Sequence, residues 1–453
     1  MIDVVVIGAG SAGAHAALAL AQGGRQVVLL DKRARGSTGA RWVNMVPRWM
    51  FAEARLAPPG PGEVVHSHAG TFFMIAPRGD RSVRAQSEGR FCHVDMRRLI
   101  ERLLTDASDA GVDLRQGQVS GVVEERGRVA GVVVERGAQR EVLRARLVID
   151  ASGLGGAARS RALAGAPSRA GGAWAAPAPE DRCLAAQFQV AVRDPGPLLE
   201  MLERHGARPG DDLAFTSTHG GYSTLTFSTT REMDQVGVLA GSIPAMGVIG
   251  GAQMLEQVRA EHRWLGEPLF GGRGAIPVRM PYARLAIPGL ALIGDAACQV
   301  YASHGSGVGI GLVAGRALAD AVARADDPGE LRALEAYQRT FHRRHGGLLA
   351  ASDAFRRYSQ RLTPEHTTEL VASGLIDPKM FVRVMEQRPN RPTPRELLRI
   401  ARGVSRSPQV AARFAPMAAR SLLIDRFGAW LAGERLRGAL DWLVGPTPAG
   451  PPG

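Results

Sequence analysis

The chain has 453 residues, enough to bury a large core and divide into two or three domains, and its 45% hydrophobic and 22% charged content is ordinary for a soluble globular protein. The formal charge of +13 comes almost wholly from arginine, since Lys32 and Lys379 are the only lysines. Without a recognition motif or aromatic-basic interleaving, that charge argues against a nucleic-acid partner, and no apolar run reaches the length of a membrane span.

An apolar run, Val4 to Ile7, leads into Gly8-Ala9-Gly10-Ser11-Ala12-Gly13, a helix-like stretch, and a second apolar run, Val27 to Leu30, closed by Asp31. This spacing predicts strand, glycine turn, helix and strand. Gly8 allows the tight turn, Gly10 lets backbone approach a pyrophosphate, and Gly13 lets helix pack on strand. Amides at the helix start face phosphates, and Asp31 is placed to accept from a ribose diol, so an adenine dinucleotide is expected. The fingerprint also accounts for the apolar stretch Ala14 to Ala21, which lacks the basic start of a leader. A loop with Arg41, Trp42 and Asn44 follows, then short strands near Thr71 to Ala76 and Phe91 to Val94. A helix fits Asp95 to Ala110, with Leu99, Leu103 and Leu104 on one face. Val119 to Glu124, Val129 to Glu135 and Glu141 to Asp150 read as a three-stranded meander running into Ala151-Ser152-Gly153.

Ala166 to Pro179, rich in alanine, glycine and proline, marks a domain crossing. Strand-like runs at 183–192, 213–216, 222–229 and 236–243 predict a largely antiparallel sheet, followed by a helix near Gly251 to Trp264. Ala291 to Asp295 is another buried strand ending in Gly294-Asp295, and Gly305 to Gly315 opens a helix. From Leu331 onward the pattern is helical, broken by prolines. The cysteines Cys92, Cys183 and Cys298 are odd in number and show no metal spacing, which fits a cytoplasmic protein with no metal centre.

The stretch Leu290 to Asp320 resembles the C-terminal flavin motif of the glutathione-reductase-like FAD enzymes. It is most similar to the geranylgeranyl reductase family and its relatives among flavin monooxygenases and halogenases. Asp150-Ala151-Ser152-Gly153 resembles the middle motif of the same enzymes, so three motifs in order span most of the first 320 residues. The resemblance implies FAD held by Gly8, Gly10, Ser11, Ala12, Gly13, Asp31, Lys32, Arg41, Arg97, Val119, Ser152, Gly153, Gly294, Asp295, Gly305, Gly307 and Val308. Arg159 falls where an arginine often sits near the pyrophosphate. His304, inside the loop at the flavin edge, is the candidate catalytic residue, since an imidazole that titrates near neutrality suits proton transfer. Ser152 stands where the hydroxylases of these families carry an aspartate that helps NAD(P)H bind, and the electron donor expected is NAD(P)H or a protein.

The fold expected is α/β. A Rossmann-like FAD domain of glutathione-reductase type comprises 1–65, 95–165 and 276–345, and an antiparallel substrate domain comprises 66–94 and 166–275. A helical region covers 346–445 and a disordered tail 446–453. The function expected is an FAD-dependent reductase or dehydrogenase exchanging hydride between flavin N5 and a hydrophobic, isoprenoid-type or secondary-metabolite substrate. A monooxygenase is the alternative, ahead of a halogenase or a membrane-surface quinone carrier. Residues 391–445 hold ten arginines against four acidic residues, interleaved with Leu397, Leu398, Trp430, Leu436, Leu440, Trp442 and Leu443. Such amphipathic helices either cover the substrate domain, the reading preferred here, or lie peripherally on anionic lipid.

Overall fold

The computed structural model describes residues 2–66, 70–165, 174–431 and 436–448. Residues 166–173 of the expected crossing and 449–453 of the expected tail lie outside these.

The first apolar run forms the strand Ile2–Ile7, flanked in parallel by Val27–Asp31 on one side and Gln139–Asp150 on the other. Leu290–Leu292 and Asp113–Gln116 extend the parallel order outward on either side. Val4, Val5 and Val6 are wholly buried, as strands covered on both faces require, and each contributes roughly 1.5–3 kcal/mol of apolar burial. The helices Ser11–Gln22, Met96–Asp109 and Val308–Val322 supply that cover. Met96–Asp109 starts at Asp95, whose side chain accepts from the Arg97 amide, and it buries Leu99, Ile100, Leu103, Leu104 and Ala107 on one face. The strand Gln139–Asp150 has two tasks. Its first half closes the antiparallel meander with Arg128–Arg136 and Gln118–Glu125, and its second half carries Asp150 into the parallel sheet beside Ile7.

A second, seven-stranded sheet runs in the order 265–277, 182–192, 235–242, 223–229, 212–216, 71–75, 82–86. It is antiparallel except where Asp212–Thr216 pairs in parallel with Thr71–Ile75. The strand Leu265–Pro277 is long and rich in glycine, and no apolar alternation announces it. Phe91–Asp95 pairs with Val43–Pro47 and Val64–His66 in a small third sheet instead of joining the larger one.

The C-terminal helices take their starts from proline. Pro364, Pro378 and Pro394 each occupy the first turn behind a capping Thr363, Asp377 or Thr393, and Pro408 opens the next helix. Pro416 is the exception, lying inside Pro408–Leu431. Pro364–Ala372 and Pro378–Met385 cover the outer strands of the seven-stranded sheet, where Val371 meets Ala76 and Val83, and Val382 meets Phe72, Ala85 and Phe91. The later helices do not follow the expected cover. Leu440 is buried, whereas Leu397, Leu398, Trp430, Leu436 and Trp442 are exposed. No described helix is long and apolar enough to cross a membrane.

Candidate functional site

The three glycine motifs converge at the C-terminal edge of the parallel sheet, and close backbone approach joins them. Gly8, at φ +100°, leaves no room for a side chain, because a Cβ there would lie 2.4 Å from the Ala151 carbonyl oxygen. A Cβ on Gly13 would lie 1.9 Å from the Gly8 carbonyl oxygen. Ala12 packs against Gly294 and Gly311, so the helix Ser11–Gln22 meets the third motif directly. The first and middle motifs thus touch through Gly8 and Ala151, and the first and third through Ala12 and Gly294.

Each motif is braced from behind. Asp150 is fully buried and accepts from the amides of Ser152, Ala158 and Arg159 and from the Ser152 hydroxyl at 2.6 Å. Ser152 Oγ in turn accepts from the Ala157 amide. Ser152 therefore holds the loop, while Gly153, at φ +81°, turns toward open space. Arg159 is a buried brace as well. Its guanidinium donates to Tyr282 Oη, to the Ala296 carbonyl and to the Leu154 carbonyl, tying the middle motif to the third. In the third motif, the Gly294 amide donates to Gln299 Oε1, and Gln299 Nε2 donates to Tyr337 Oη.

The surfaces left over fit a dinucleotide. The helix Ser11–Gln22 begins at Gly10 with no side-chain cap, so its positive end is free to meet an anion. Asp31 sits at the end of its strand, accepting from the Ala9 and Arg33 amides, with Lys32 exposed beside it. No described residue hydrogen-bonds the Asp295 carboxylate, and burial raises it to about 6. Gly307, which starts the helix Val308–Val322, would place a Cβ 3.1 Å from Asp295 Oδ1. An acceptor without a protein partner, flanked by glycines and a helix start, is what a hydroxylated cofactor chain requires. Gly39, at φ +65°, brings the loop before Arg41 alongside Gly10, and the Arg41 guanidinium folds back onto the Gly36 carbonyl.

Two residues tied to the cofactor by resemblance are occupied otherwise. Arg97 makes a two-pronged ion pair with Asp95 at 3.0 and 2.7 Å and lies over the Phe270 ring at 3.5 Å. It fastens the small sheet to the seven-stranded one. Val119 is buried in the meander opposite Val134.

His304 lies where expected, on the loop after the third motif and 4.8 Å from the Tyr301 ring. Burial pushes it down to about 4, against the weaker pull of its own and the Val384 carbonyls. It is therefore neutral near pH 7, which corrects the expectation of an imidazole titrating there. Its Nε2 is buried with no described partner. Sequence reasoning missed what surrounds this loop. Tyr222 Oη donates to the Ala302 carbonyl at 2.9 Å, and a Cβ on Gly305 would stand 3.5 Å from that hydroxyl and 3.7 Å from Ile276. Cys183, Ile243 and Val278 complete an apolar wall there. Trp42 lies on the glycine face of Leu265–Pro277, against Gly272 and Gly274. The glycine triplet at 271, 272 and 274 was the one available signal.

The sequence profile of a family described as FAD dependent oxidoreductase matches residues 3–243. A digeranylgeranylglycerophospholipid reductase of Methanopyrus kandleri is 27% identical over 348 residues, 74% of this chain and 81% of that protein. One from Methanothrix thermoacetophila is 28% identical over 398 residues, 82% and 90% of the two chains. Among solved structures, a geranylgeranyl bacteriochlorophyll reductase-like protein from Thermoplasma acidophilum shares the fold with a TM-score of 0.71 at 19% identity, covering 92% of this chain and 98% of its own. A flavin-dependent brominase shares it with a TM-score of 0.59 at 13% identity, covering 89% and 98%.

Proposed function

The chain belongs to the FAD dependent oxidoreductase family, and on that premise we propose a reductase that delivers hydride to an apolar, isoprenoid-type substrate. Bound FAD supplies the hydride exchange, at its N5. The observation that carries the reading is the apolar wall of Tyr222, Ile276, Cys183 and Val278 set directly against the Gly305 turn. The curated relatives are named as reductases of a prenylated lipid, which fits such a wall.

The residues divide the work. The uncapped start of Ser11–Gln22 receives the pyrophosphate, and Asp31 accepts from the ribose. Asp295 accepts from the hydroxylated chain linking ribose and ring systems. The start of Val308–Val322 presents Gly307 and Val308 amides toward negative charge at the ring edge. His304, uncharged near neutrality and on the loop of the Gly305 turn, holds that loop beside the substrate wall without a charge to desolvate. Arg41 on its loop stands ready to meet the cofactor, with electrons drawn from NAD(P)H or a protein donor.

Asp31→Ala and Asp295→Ala are each expected to lower the flavin content of purified protein, read as absorbance per chain. Full occupancy in both would contradict the assignment. The reductase reading is tested by anaerobic turnover with a reductant and a prenyl lipid, followed by mass spectrometry. Gain of hydrogens at the double bonds is expected. Hydroxylated product that forms only with oxygen would favour a monooxygenase instead. His304→Ala should slow that turnover while retaining flavin, and an unchanged rate returns the residue to a packing role.

A further inference from the structure

Nine of the fourteen large hydrophobic side chains exposed among the described residues fall between Leu397 and Trp442. Their arrangement follows helix geometry. Pro394–Arg406 docks along a narrow seam of Glu396, held by Arg383 at 2.9 Å, and Gly403, seated against the Gly374 carbonyl. Leu397, Ala401 and Val404, at i, i+4 and i+7, form one flank of that seam and are exposed. Arg395, Arg399, Arg402 and Arg406 form the other flank. Arg399 pairs with Asp377, whereas Arg395, Arg402 and Arg406 carry no ion pair among the described residues.

The next helix, Pro408–Leu431, is far less two-sided along its length, but its second half has a bare apolar face. Ile424 and Gly428 face inward, with Gly428 close against Gly347. Leu423, Phe427 and Trp430 point away at i, i+4 and i+7, flanked by Arg420 and Arg426. Trp430 is 82% exposed, and Trp442 on the last helix, Arg437–Val444, is 73% exposed. Single exposed hydrophobics need no account, but a run of helical stripes ending in two bare tryptophans does.

We propose that these C-terminal helices dock the protein on an anionic lipid bilayer, with Leu423, Phe427, Trp430 and Trp442 entering the headgroup boundary. Charge decides the occupant. A second copy would bring two arginine-rich faces together, whereas an anionic surface complements Arg395, Arg402, Arg406, Arg420 and Arg426, exposed and without an ion pair among the described residues. A helix with leucines on one face and arginines on the other, of low mean hydropathy, has the composition of one that lies in the interface plane. Indole rings fit the headgroup level, apolar in body and polar at one edge. The proposal goes beyond the reductase reading and does not depend on which substrate is turned over.

The test is co-sedimentation of flavin-loaded protein with phosphatidylcholine vesicles, with and without phosphatidylglycerol. Binding is expected only to the anionic vesicles, weakening as salt rises. Arg402→Ser/Arg406→Ser should weaken it by about 30-fold, at about 1 kcal/mol for each arginine near the surface. Leu423→Ser/Phe427→Ser/Trp430→Ser should abolish binding with flavin content unchanged, which separates lost docking from a lost fold or a failed cofactor assignment. No binding to anionic vesicles at low salt would overturn the proposal. So would a dimer in sedimentation velocity that the triple variant dissociates, since a second copy would then own the face.

Discussion

Arg356 has no exposed surface, yet it carries a full charge between Asp181 at 2.7 Å and Asp353 at 2.5 Å, with Gln360 Oε1 and the Glu180 carbonyl as further acceptors. The Asp353 carboxyl, although burial works against it, is held at about 2 by Arg356 and Arg357. Removing the guanidinium leaves Asp181 buried without its ion-pair partner and Asp353 with Arg357 alone. Arg356→Ala should therefore cost about 3–5 kcal/mol in denaturant unfolding, far more than loss of any surface ion pair. Steric rather than electrostatic limits govern Gly13. Gly13→Ala places a methyl within bonding range of the Gly8 carbonyl oxygen, so helix and strand must separate. At least about 3 kcal/mol of stability and most bound flavin should be lost together, read by thermal melts and absorbance. At this scale the sequence was informative where backbone chemistry is local. The tight positions Gly8 and Gly13 could be named because the strand–turn–helix spacing of one short motif demands them. The bracing role of Arg97 was not legible, because its partners, Asp95 and Phe270, belong to different sheets.

Among elements, legibility followed hydrophobic period. Met96–Asp109 and the three meander strands were found because apolar residues recur at helix or strand spacing. Pro195–Arg204 was missed because Pro-Gly-Pro reads as a turn, although Asp194 caps it and proline suits the first turn. Leu265–Pro277 was missed for a more instructive reason. Glycines at 266, 271, 272 and 274 give it no strand propensity, and it is a strand because Arg182–Val192 pairs along its whole length. The bare backbone has a use, since Trp42 rests where side chains would stand. A Cβ on Gly274 would lie 2.9 Å from the Trp42 ring. Gly274→Val should thus expel the indole, shifting its fluorescence to longer wavelength and raising KM for an apolar substrate, with flavin content retained.

Taken as a whole, the molecule holds three of its described histidines far below their ordinary range. Burial pushes His15, His304 and His342 down to about 4 from an ordinary 6.5, and backbone carbonyls only partly offset this. In the unfolded chain all three take up protons as pH falls below 6.5, whereas in the folded chain they wait until about 4. The unfolded state therefore binds more protons across that window, and the histidines' contribution to stability is lost as pH drops from 6.5 to 4; below that, protonation of Asp353 takes over the loss. Each histidine contributes on the order of 3 kcal/mol to this loss. Urea midpoints measured across the window should fall steeply, and His15→Gln should flatten the slope. The same wholeness bears on how the protein is made. Ile7 pairs beside Asp150 and Gly8 abuts Ala151, but Ala12 rests on Gly294, so the first glycine turn lacks its last neighbour until the third motif leaves the ribosome. At typical elongation rates that interval is roughly 15–60 s. Throughout it, the helix behind the glycine turn stands without the third motif that packs on it, although its strand already has both sheet neighbours. Cofactor loading is in this sense a late event of synthesis, gated by translation speed as much as by affinity.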